Sequence, residues 1–479
     1  MRNRGVIALG SASRLIDMAR IASNLVLAAW CGVLFFYGIA AGPVYRTESL
    51  RAIIGAESLR GHWLYPVLYG EPFLTKPPGH YAAIAVCSLP FGEVTDWSAR
   101  LPSAIAAAAV VFLMWGMLRS AFDERRAFLA AMLIPTSVLW LDKAPSAEID
   151  ITLTAWVVAS LVLFHKAIAS PRVGLWIASL LCVAAGTLTK WTAPAFFYLT
   201  VIPFLAWRRQ LQLLFGWRHL LAAAVAASAI LGWAAAVASD VGWNKLIDTI
   251  AGEASYRFHA PAKAKGTGWL EMATFPLLVL AAHLPLALFA LRTLRPCFLR
   301  QLDDRERSLL QLLHCWVWPN LLFWSLVPNH NVRYVLPLSP ALMALGALGL
   351  FGGALPFGSR LIRWVGGFLL IWLIAKIVFV EMVIPRRTEH HDARQTASQL
   401  RKLVPDGVPL YIHKLKDEGV MFYFGRAVRK LHEPHELPPG AYAVFIRQEW
   451  DDRGRYGDVQ LVRWMYDQQG DPLILAHCQ

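Results

Sequence analysis

Apolar stretches of about 20 residues recur along the chain, and they constrain its fold more than any other feature. A helix of that length crosses the hydrocarbon core of a bilayer. Eleven such windows can be marked, at 25–42, 98–118, 125–141, 150–168, 173–189, 192–207, 219–238, 271–291, 309–327, 336–355 and 362–384. The sequence therefore predicts an all-α polytopic membrane domain over 25–384, with about eleven transmembrane helices.

The distribution of basic residues predicts an orientation for these helices. Formal net charge is +14, but the Lys and Arg residues concentrate in short alternate connections and so indicate topology, not nucleic-acid binding. Basic connections lie on the cytoplasmic side. We thus expect a cytoplasmic N-terminus over 1–24, a long first outer loop over 43–97 and, from the odd helix count, an extracytoplasmic C-terminus.

The composition becomes that of a soluble domain after about residue 385. A helix is predicted around 391–403, and the runs "VPLYIH", "AYAVFIR" and "VQLVRW" are typical of strands. Residues 385–479 are therefore expected to form a small α/β or α+β domain. The six cysteines show neither a CxxC motif nor metal-ligand spacing, so no metal site is predicted from them.

Two conspicuous charges lie in the first outer loop. Glu48 stands between Arg46 and Arg51 in "GPVYRTESLRAI", either as a solvated loop carboxylate or at the mouth of a site. Lys76 lies in "TKPPG", where two prolines stiffen the backbone. A rigid lysine at a membrane surface suits a phosphate, although snorkelling to ordinary lipid headgroups is an equal alternative.

Two carboxylates begin another predicted span. Glu148 and Asp150 occur in "PSAEIDITLTAW". Carboxylates near a membrane are costly unless they are paired or face a polar cavity, and this makes them functional candidates. The alternative is that both stay in water at a helix N-terminus, where negative charge is favourable.

Further cations occur in the predicted outer segments, against the positive-inside trend. Arg257 and His259 lie in "EASYRFHAPAKAKG", Arg333 follows His330 in "NHNVRY", and Lys190 interrupts a long apolar run. A basic cluster on the outer side indicates an anionic ligand, whereas a surface histidine without a partner is the simpler interpretation of His259 and His330.

Six segments together carry a family resemblance. They are "ESLRGHWLYPVLYGEPFLTKPPGHY", "ARLPSA", "AEIDITLT", "GTLTKW", "ASYRF" and "RYVLPLSPAL", in this order within about residues 25–345. In them the chain resembles the GT-C-fold, polyprenyl-phosphate-dependent glycosyltransferases. It is most similar to the bacterial branch with the lipid A aminoarabinose transferase and relatives of the protein O-mannosyltransferases.

The resemblance implies an activity. Such enzymes take a sugar from a polyprenyl-phosphate donor at the outer face of the bacterial inner membrane and pass it, with inversion, to an acceptor. The acceptor would be a hydroxyl or phosphate of lipid A, another glycan or a protein. A carboxylate must orient or deprotonate the acceptor, and fixed cations must stabilise the departing phosphate. The resemblance implies no certain cofactor, with the polyprenyl-phosphate sugar as donor substrate, and it leaves a divalent metal near the carboxylates possible.

The resemblance also assigns residues to roles. Glu48 and Asp150 would be the catalytic carboxylates, and Lys76, Arg257 and Arg333 would bind the donor phosphate. Thr47, Glu148, Lys190 and His259 would line the substrate cavity. Expected partners are the lipid-linked donor, membrane lipid and the acceptor, with no nucleic acid.

Two residues depart from the family pattern. Thr47 occupies the position of the usual catalytic Asp, and Thr75 replaces an acid that often precedes the lysine of the Lys-Pro-Pro motif. Because Thr is no base at neutral pH, either Glu48 takes over, or Asp150 acts, or the chain is inactive. The alternatives are therefore a catalytically inactive relative that binds lipid-linked sugars, or a transporter or flippase for a lipid-linked or anionic substrate.

Overall fold

The computed structural model describes residues 18, 20–170, 172–258, 268–328, 331–352, 358–389, 392–415 and 418–479. Helices dominate the part before residue 390. They are α1 (Arg20–Phe36), α2 (Thr47–Leu59), α3 (Gly79–Ser88), α4 (Asp96–Leu118), α5 (Glu124–Leu133), α6 (Val138–Lys143), α7 (Ile149–Ile168), α8 (Val173–Thr187), α9 (Ala193–Trp207), α10 (Trp217–Val241), α11 (Trp243–Phe258), α12 (Gly268–Ala282), α13 (Leu286–Ala290), α14 (Pro296–Leu299), α15 (Asp304–Leu326), α16 (Ser339–Phe351), α17 (Ser359–Val378) and α18 (Ile384–Thr388).

Fewer helices than predicted meet the length and hydropathy expected of a membrane span. Within the described residues five do so, namely α4, α7, α10, the continuous helical stretch Val332–Phe351 and the helix beginning at Ser359. The bent pair α12–α13, with an angle of 104°, would make a sixth. The eleven predicted windows all coincide with helices, but eleven spans are not confirmed, because α1, α8 and α9 are only 15–17 residues long.

The helices pack around a large apolar core with few unpaired polar groups. In it α7 packs against α4 and α8, and α15 against α9 and α16. Some buried tryptophans donate hydrogen bonds across helices, which avoids the cost of an indole N–H without an acceptor. Trp140 Nε1 lies 2.9 Å from Ser339 Oγ, and Trp316 Nε1 lies 2.9 Å from the Pro337 carbonyl oxygen.

A close backbone contact fixes the "TKPPG" segment against the bundle. The amide of Gly79 donates to the carbonyl oxygen of Leu188, 2.8 Å away. A Cβ at residue 79 would lie 2.7 Å from that same oxygen, so only glycine permits the contact. It places the loop carrying Lys76 beside the α8–α9 turn that carries Lys190.

The C-terminal part forms a mixed sheet covered by short helices. The helices are α19 (Ala393–Leu403), α20 (Gly419–Phe424) and α21 (Arg447–Asp451). The strands, after a small hairpin of β1 (Val67–Leu68) and β2 (Glu71–Pro72), are β3 (Leu410–Ile412), β4 (Val428–Lys430), β5 (Tyr442–Ile446), β6 (Val459–Tyr466) and β7 (Pro472–Cys478). The spatial order is β4-β3-β5-β7-β6, with β3 parallel to β4 and β5, and β7 antiparallel to β5 and β6.

The helix around 391–403 and the three predicted strands thus appear in the structure. The sequence analysis missed β4, which is short and exposed, and β7, which follows the turn after β6.

The C-terminal sheet unit contacts the segment before α2 through a small polar cluster. The Val44 amide donates to Tyr423 Oη (2.7 Å) and to Asp96 Oδ1 (3.2 Å), and Tyr423 Oη donates to Asp96. Arg394 binds Asp96 at 2.7 Å, and Gln468 Nε2 donates to the Val44 carbonyl oxygen at 2.8 Å. Both backbone groups of Val44 are therefore held by side chains from distant parts of the chain.

Candidate active site

Glu48 lies in the first turn of α2, and its carboxylate is completely bonded. Arg100 Nε donates to Oε1 and Arg100 Nη2 to Oε2, both at 2.9 Å. The amides of Ala147 and Tyr45 donate to Oε1 and Oε2 at 2.8 and 3.0 Å. A carboxylate offers about four acceptor positions, so none is left for a substrate proton.

The Arg100 guanidinium also holds the segment before α2. It donates to the carbonyl oxygens of Ile39 and Pro43, each at 3.0 Å, and of Gly42 at 3.2 Å. Burial raises the pKa of Glu48, but the charge and hydrogen bonds of Arg100 outweigh burial and leave the pKa below its ordinary value. The pair therefore favours a role for Glu48 in fixing residues 39–48.

Thr47 and Glu148 face each other across two guanidinium groups. Thr47 Oγ1 accepts hydrogen bonds from Arg51 (3.3 Å) and Arg333 (3.4 Å). Glu148 is 2% exposed, and its Oε1 accepts from Arg333 Nη1 at 3.4 Å while Oε2 lies 2.9 Å from Arg51 Nη1. Position 47, where the resemblance leads us to expect a catalytic Asp, thus lies between the guanidinium groups of Arg51 and Arg333.

Asp150 lies deeper, at the start of α7. Its Oδ1 accepts from the buried Lys190 ammonium, and its Oδ2 is 4.0 Å from Arg333 Nε. Arg333 therefore bridges the two predicted carboxylates, Glu148 on one side and Asp150 on the other. Opposite charges compensate one another in this desolvated region.

Tyr334 is at the centre of the cations. Lys190 Nζ lies 4.3 Å from its ring centroid, and the guanidinium carbons of Arg257 and Arg333 lie at 4.6 and 5.7 Å. Aromatic faces attract cations at such distances. The ring thus holds three predicted ligands of an anionic substrate in one place.

Lys76 and Arg257 converge on a single carboxylate oxygen. The Lys76 ammonium donates to Glu253 Oε1, and Arg257 Nη2 donates to the same atom at 3.1 Å. Burial lowers the pKa of Lys76, and nearby Arg257 and Lys190 lower it further, against the effect of Glu253. This convergence is the geometry that an oxygen of a phosphate requires.

Two cavities flank this network. The loop cavity, of about 590 Å³, lies between the segment before α2, α6, α17 and the C-terminal sheet unit. Its lining includes Thr47, Glu48, Arg100, Lys143, Glu148, Arg333, Lys376, Arg387 and Gln468. The aromatic cavity, of about 210 Å³, is lined by Lys76, Lys190, Trp191, Glu253, Arg257, Phe258, Phe323 and Trp324, among others.

The structure distributes the sequence-predicted residues between the two cavities. Thr47, Glu48, Glu148 and Arg333 line the loop cavity; Lys76, Lys190 and Arg257 line the aromatic cavity; Asp150 joins them through Lys190 and Arg333. His259 lies outside the described residues.

The sequence analysis missed Arg100, Tyr334 and Glu253. Arg100 and Tyr334 lie within the quoted segments "ARLPSA" and "RYVLPLSPAL", which was a usable signal, whereas Glu253 precedes "ASYRF" without any distinguishing pattern.

A divalent metal would need several oxygen or nitrogen ligands in one place. Among the described side chains no three His, Cys, Asp or Glu residues group in that way. The carboxylates of the site are bonded to Lys and Arg instead, so these residues do not fit a metal and no step is derived through one.

Comparisons with known proteins agree with this architecture. Residues 75–234 match the family model described as dolichyl-phosphate-mannose-protein mannosyltransferase. The undecaprenyl phosphate-alpha-4-amino-4-deoxy-L-arabinose arabinosyl transferase 2 of Pseudomonas fluorescens is 28% identical over 310 residues, 60% of this chain and 52% of that protein. The arabinosyl transferase of the same description from Pectobacterium carotovorum is 29% identical over 327 residues, 66% and 56% of the two chains. The chain thus spans about half the length of these curated relatives.

Solved structures extend the similarity over nearly the whole chain. ArnT from Cupriavidus metallidurans bound to undecaprenyl phosphate superposes with a TM-score of 0.73 at 17% identity, covering 94% of this chain and 97% of ArnT. The oligosaccharyltransferase of Archaeoglobus fulgidus in its apo form gives 0.53 at 12% identity, covering 91% and 71%. The chain therefore has the fold of the GT-C glycosyltransferases, and its resemblance to their polyprenyl-phosphate-dependent branch is confirmed.

Proposed function

We propose that the chain is a membrane glycosyltransferase that moves a sugar, with inversion, from a polyprenyl-phosphate donor to an acceptor. The observation that carries this proposal is the aromatic cavity. It combines converging cations at one end with aromatic and apolar walls, which suits a ligand with a phosphate head and a hydrocarbon tail.

The donor phosphate would take the position of Glu253 Oε1. Lys76 and Arg257 already converge on that atom, so a phosphate oxygen needs no rearrangement of either cation. Negative charge builds on the polyprenyl phosphate as the glycosidic bond breaks, and fixed cations stabilise it most in a desolvated site. The names of the curated relatives and the undecaprenyl phosphate bound to ArnT support undecaprenyl phosphate as the lipid.

The acceptor would enter the loop cavity. Glu148 lines this cavity and Asp150 lies behind it, next to Lys190, so these two carboxylates are the candidates to orient an acceptor group. We assign Glu48 a positioning role because its four acceptor positions are filled. The acceptor is lipid A, another glycan or a protein, at a hydroxyl or a phosphate oxygen. An acceptor phosphate that is already ionised needs no general base. With such an acceptor, Thr47 in place of the usual catalytic Asp does not prevent transfer.

We further propose the membrane arrangement that the basic connections predict. The five long helices cross the bilayer together with the bent pair α12–α13, with α15, with the α5–α6 segment and with the shorter helices α1, α8 and α9, for a total of eleven spans. The N-terminus is cytoplasmic, and the C-terminal sheet unit and both cavities face the periplasm across a bacterial inner membrane.

The test is transfer in detergent. Purified protein is incubated with radiolabelled undecaprenyl-phosphate aminoarabinose and lipid A, where a pure transporter yields no product. Lys76→Ala should abolish transfer, while Lys245→Ala, the same change at an exposed position of α11, should not. Equal rates for Lys76→Ala and the wild type would refute the donor site.

A second candidate is a catalytically inactive relative that binds lipid-linked sugars. Thr47 and the fully bonded Glu48 favour it, because no free carboxylate lies at the start of α2. Thr47→Asp would place a carboxylate beside Arg51 and Arg333. Transfer by the Asp variant together with none by the wild type supports this candidate, and transfer by the wild type excludes it.

A further inference from the structure

Lys376 is a buried cation in a helix whose side chains are mostly exposed on the surface of the bundle. Its neighbours on α17, Ile374 and Ile377, are 52% and 42% exposed on the surface of the bundle, whereas Lys376 is 1% exposed. A lysine in an apolar span is costly unless it meets a counter-charge or a polar cavity. Lys376 lines the loop cavity.

Lys376 differs from most of the other cations around that cavity. Arg100 binds Glu48, Arg333 binds Glu148, and Lys143 lies 2.9 Å from Asp142. Within the described parts of the chain no hydrogen bond or ion pair reaches the Lys376 ammonium. The Lys376 ammonium therefore has no anionic partner among the described side chains of the cavity.

Gln468 offers an unused acceptor in the same cavity. It lies in the turn between β6 and β7, is 6% exposed and donates from Nε2 to the Val44 carbonyl oxygen. Its Oε1 is buried and, among the described residues, accepts no hydrogen bond. A buried acceptor without a donor costs free energy that a bound donor would restore.

The charge of the whole lining points in the same direction. Six basic side chains face three carboxylates there. The basic ones are Arg46, Arg100, Lys143, Arg333, Lys376 and Arg387, and the acidic ones are Glu48, Asp142 and Glu148. An excess of positive charge in a partly desolvated cavity selects an anionic ligand.

We propose that Lys376 and Gln468 form a docking subsite for a sugar phosphate of the acceptor, apart from the atoms that react. The phosphate binds the Lys376 ammonium, and a neighbouring sugar hydroxyl donates to Gln468 Oε1. A carboxylate alone supplies no such donor. The subsite rests on the proposed function for its role as an acceptor site, but binding itself needs no turnover.

Binding to the protein in nanodiscs, without donor, tests the subsite. The probes are lipid A, enzymatically dephosphorylated lipid A and inorganic phosphate as a competitor. Wild-type protein should bind the phosphorylated lipid at least about 10-fold tighter than the dephosphorylated one, since removal of the phosphate removes a hydrogen bond between two charged groups. Lys376→Met should remove most of that ratio, and Lys376→Arg should keep it.

The control is Lys402→Met, the same change at an exposed position of α19, which should leave the ratio intact. A Lys376→Met variant with the wild-type ratio, or a Lys376→Arg variant that loses it, would overturn the subsite. Gln468→Leu should weaken both lipids alike, because it removes the contact with the hydroxyl and not the one with the phosphate.

Two further comparisons distinguish a free phosphate from a lipid headgroup as the ligand, and the subsite from the proposed function. Competition by millimolar inorganic phosphate as strong as that by lipid A assigns the subsite to free phosphate; preference for the lipid assigns it to a headgroup, and both support an anion site. If the wild type shows the ratio but no transfer, the proposed function fails and the subsite stands. If the wild type transfers sugar but binds the phosphorylated and dephosphorylated lipids equally well, the subsite is refuted and the proposed function stands.

Discussion

Arg100 clamps both carboxylate oxygens of Glu48 with two parallel N–H groups, across 52 residues of sequence. Breaking such a buried pair leaves a charge without its partner, at a cost of about 3–5 kcal/mol. We therefore expect Glu48→Gln to lower the unfolding temperature strongly, as measured by thermal unfolding in detergent. The control is Glu57→Gln in the same helix, whose partner Arg60 is 62% exposed. An unchanged unfolding temperature with lost transfer would return Glu48 to the role of base.

The same pair predicts a pH dependence of stability. The pKa of Glu48 lies below its ordinary value, so its charge stabilises the folded state above that value, and this contribution is lost as the pH falls through the folded pKa. The stability difference between wild type and Glu48→Gln should be constant near neutral pH and shrink below about pH 4. Denaturation curves at several pH values measure it. A difference that grows with acidification would contradict the assignment.

Donor affinity should begin to fall at a lower pH than it would if Lys76 had the pKa of an ordinary lysine. Burial and the neighbouring cations lower the pKa of Lys76, so its ammonium loses its proton below the usual lysine range. Undecaprenyl phosphate affinity, followed by a fluorescence binding assay across alkaline pH, should fall there. Lys76→Arg should move this fall to higher pH, because an arginine stays protonated. Lys245→Arg is the matched control, and an identical shift in it would argue against Lys76.

The Val44 cluster should couple the C-terminal sheet unit to the loop cavity. Tyr423→Phe removes the hydroxyl that accepts from the Val44 amide at 2.7 Å, while Asp96 remains at 3.2 Å. We expect faster amide hydrogen exchange in residues 43–48 and a transfer rate lowered about 10-fold, with unchanged affinity for the donor, since misplaced site residues reduce rates. Tyr466→Phe, at an exposed position, is the control. Unaltered exchange in Tyr423→Phe would show that the contact does not order the segment.

The sequence predicted that the bundle is helical, and it singled out most of the charged residues of the candidate site. Both were possible because hydropathy and the sign of a charge are local properties. Lys76, Lys190 and Arg257 line one cavity, whereas Arg333 lines the other. The partners were not predictable in the same way. Glu148 meets Arg333 across 185 residues, and Glu253 meets Lys76 across 177. No periodicity records such pairs, so Glu48 looked free in the sequence although Arg100 binds it.

The predicted count of eleven spans is not confirmed, for a related reason. Hydropathy averages over a window and does not register where a helix ends. The window 125–141 contains Pro135, and the structure divides it into α5 and α6, with Ser137 capping the second helix.

In the proposed donor site, the Glu253 carboxylate occupies the position assigned to the phosphate. With its carboxylate between Lys76 and Arg257, neither cation is left bare when the lipid departs. If the proposed function holds, we expect polyprenyl phosphate that remains after transfer to leave by exchange against this tethered anion. Under the same proposal each new donor has to displace the Glu253 carboxylate, so we expect this side chain to weaken donor affinity and to speed release of the carrier lipid.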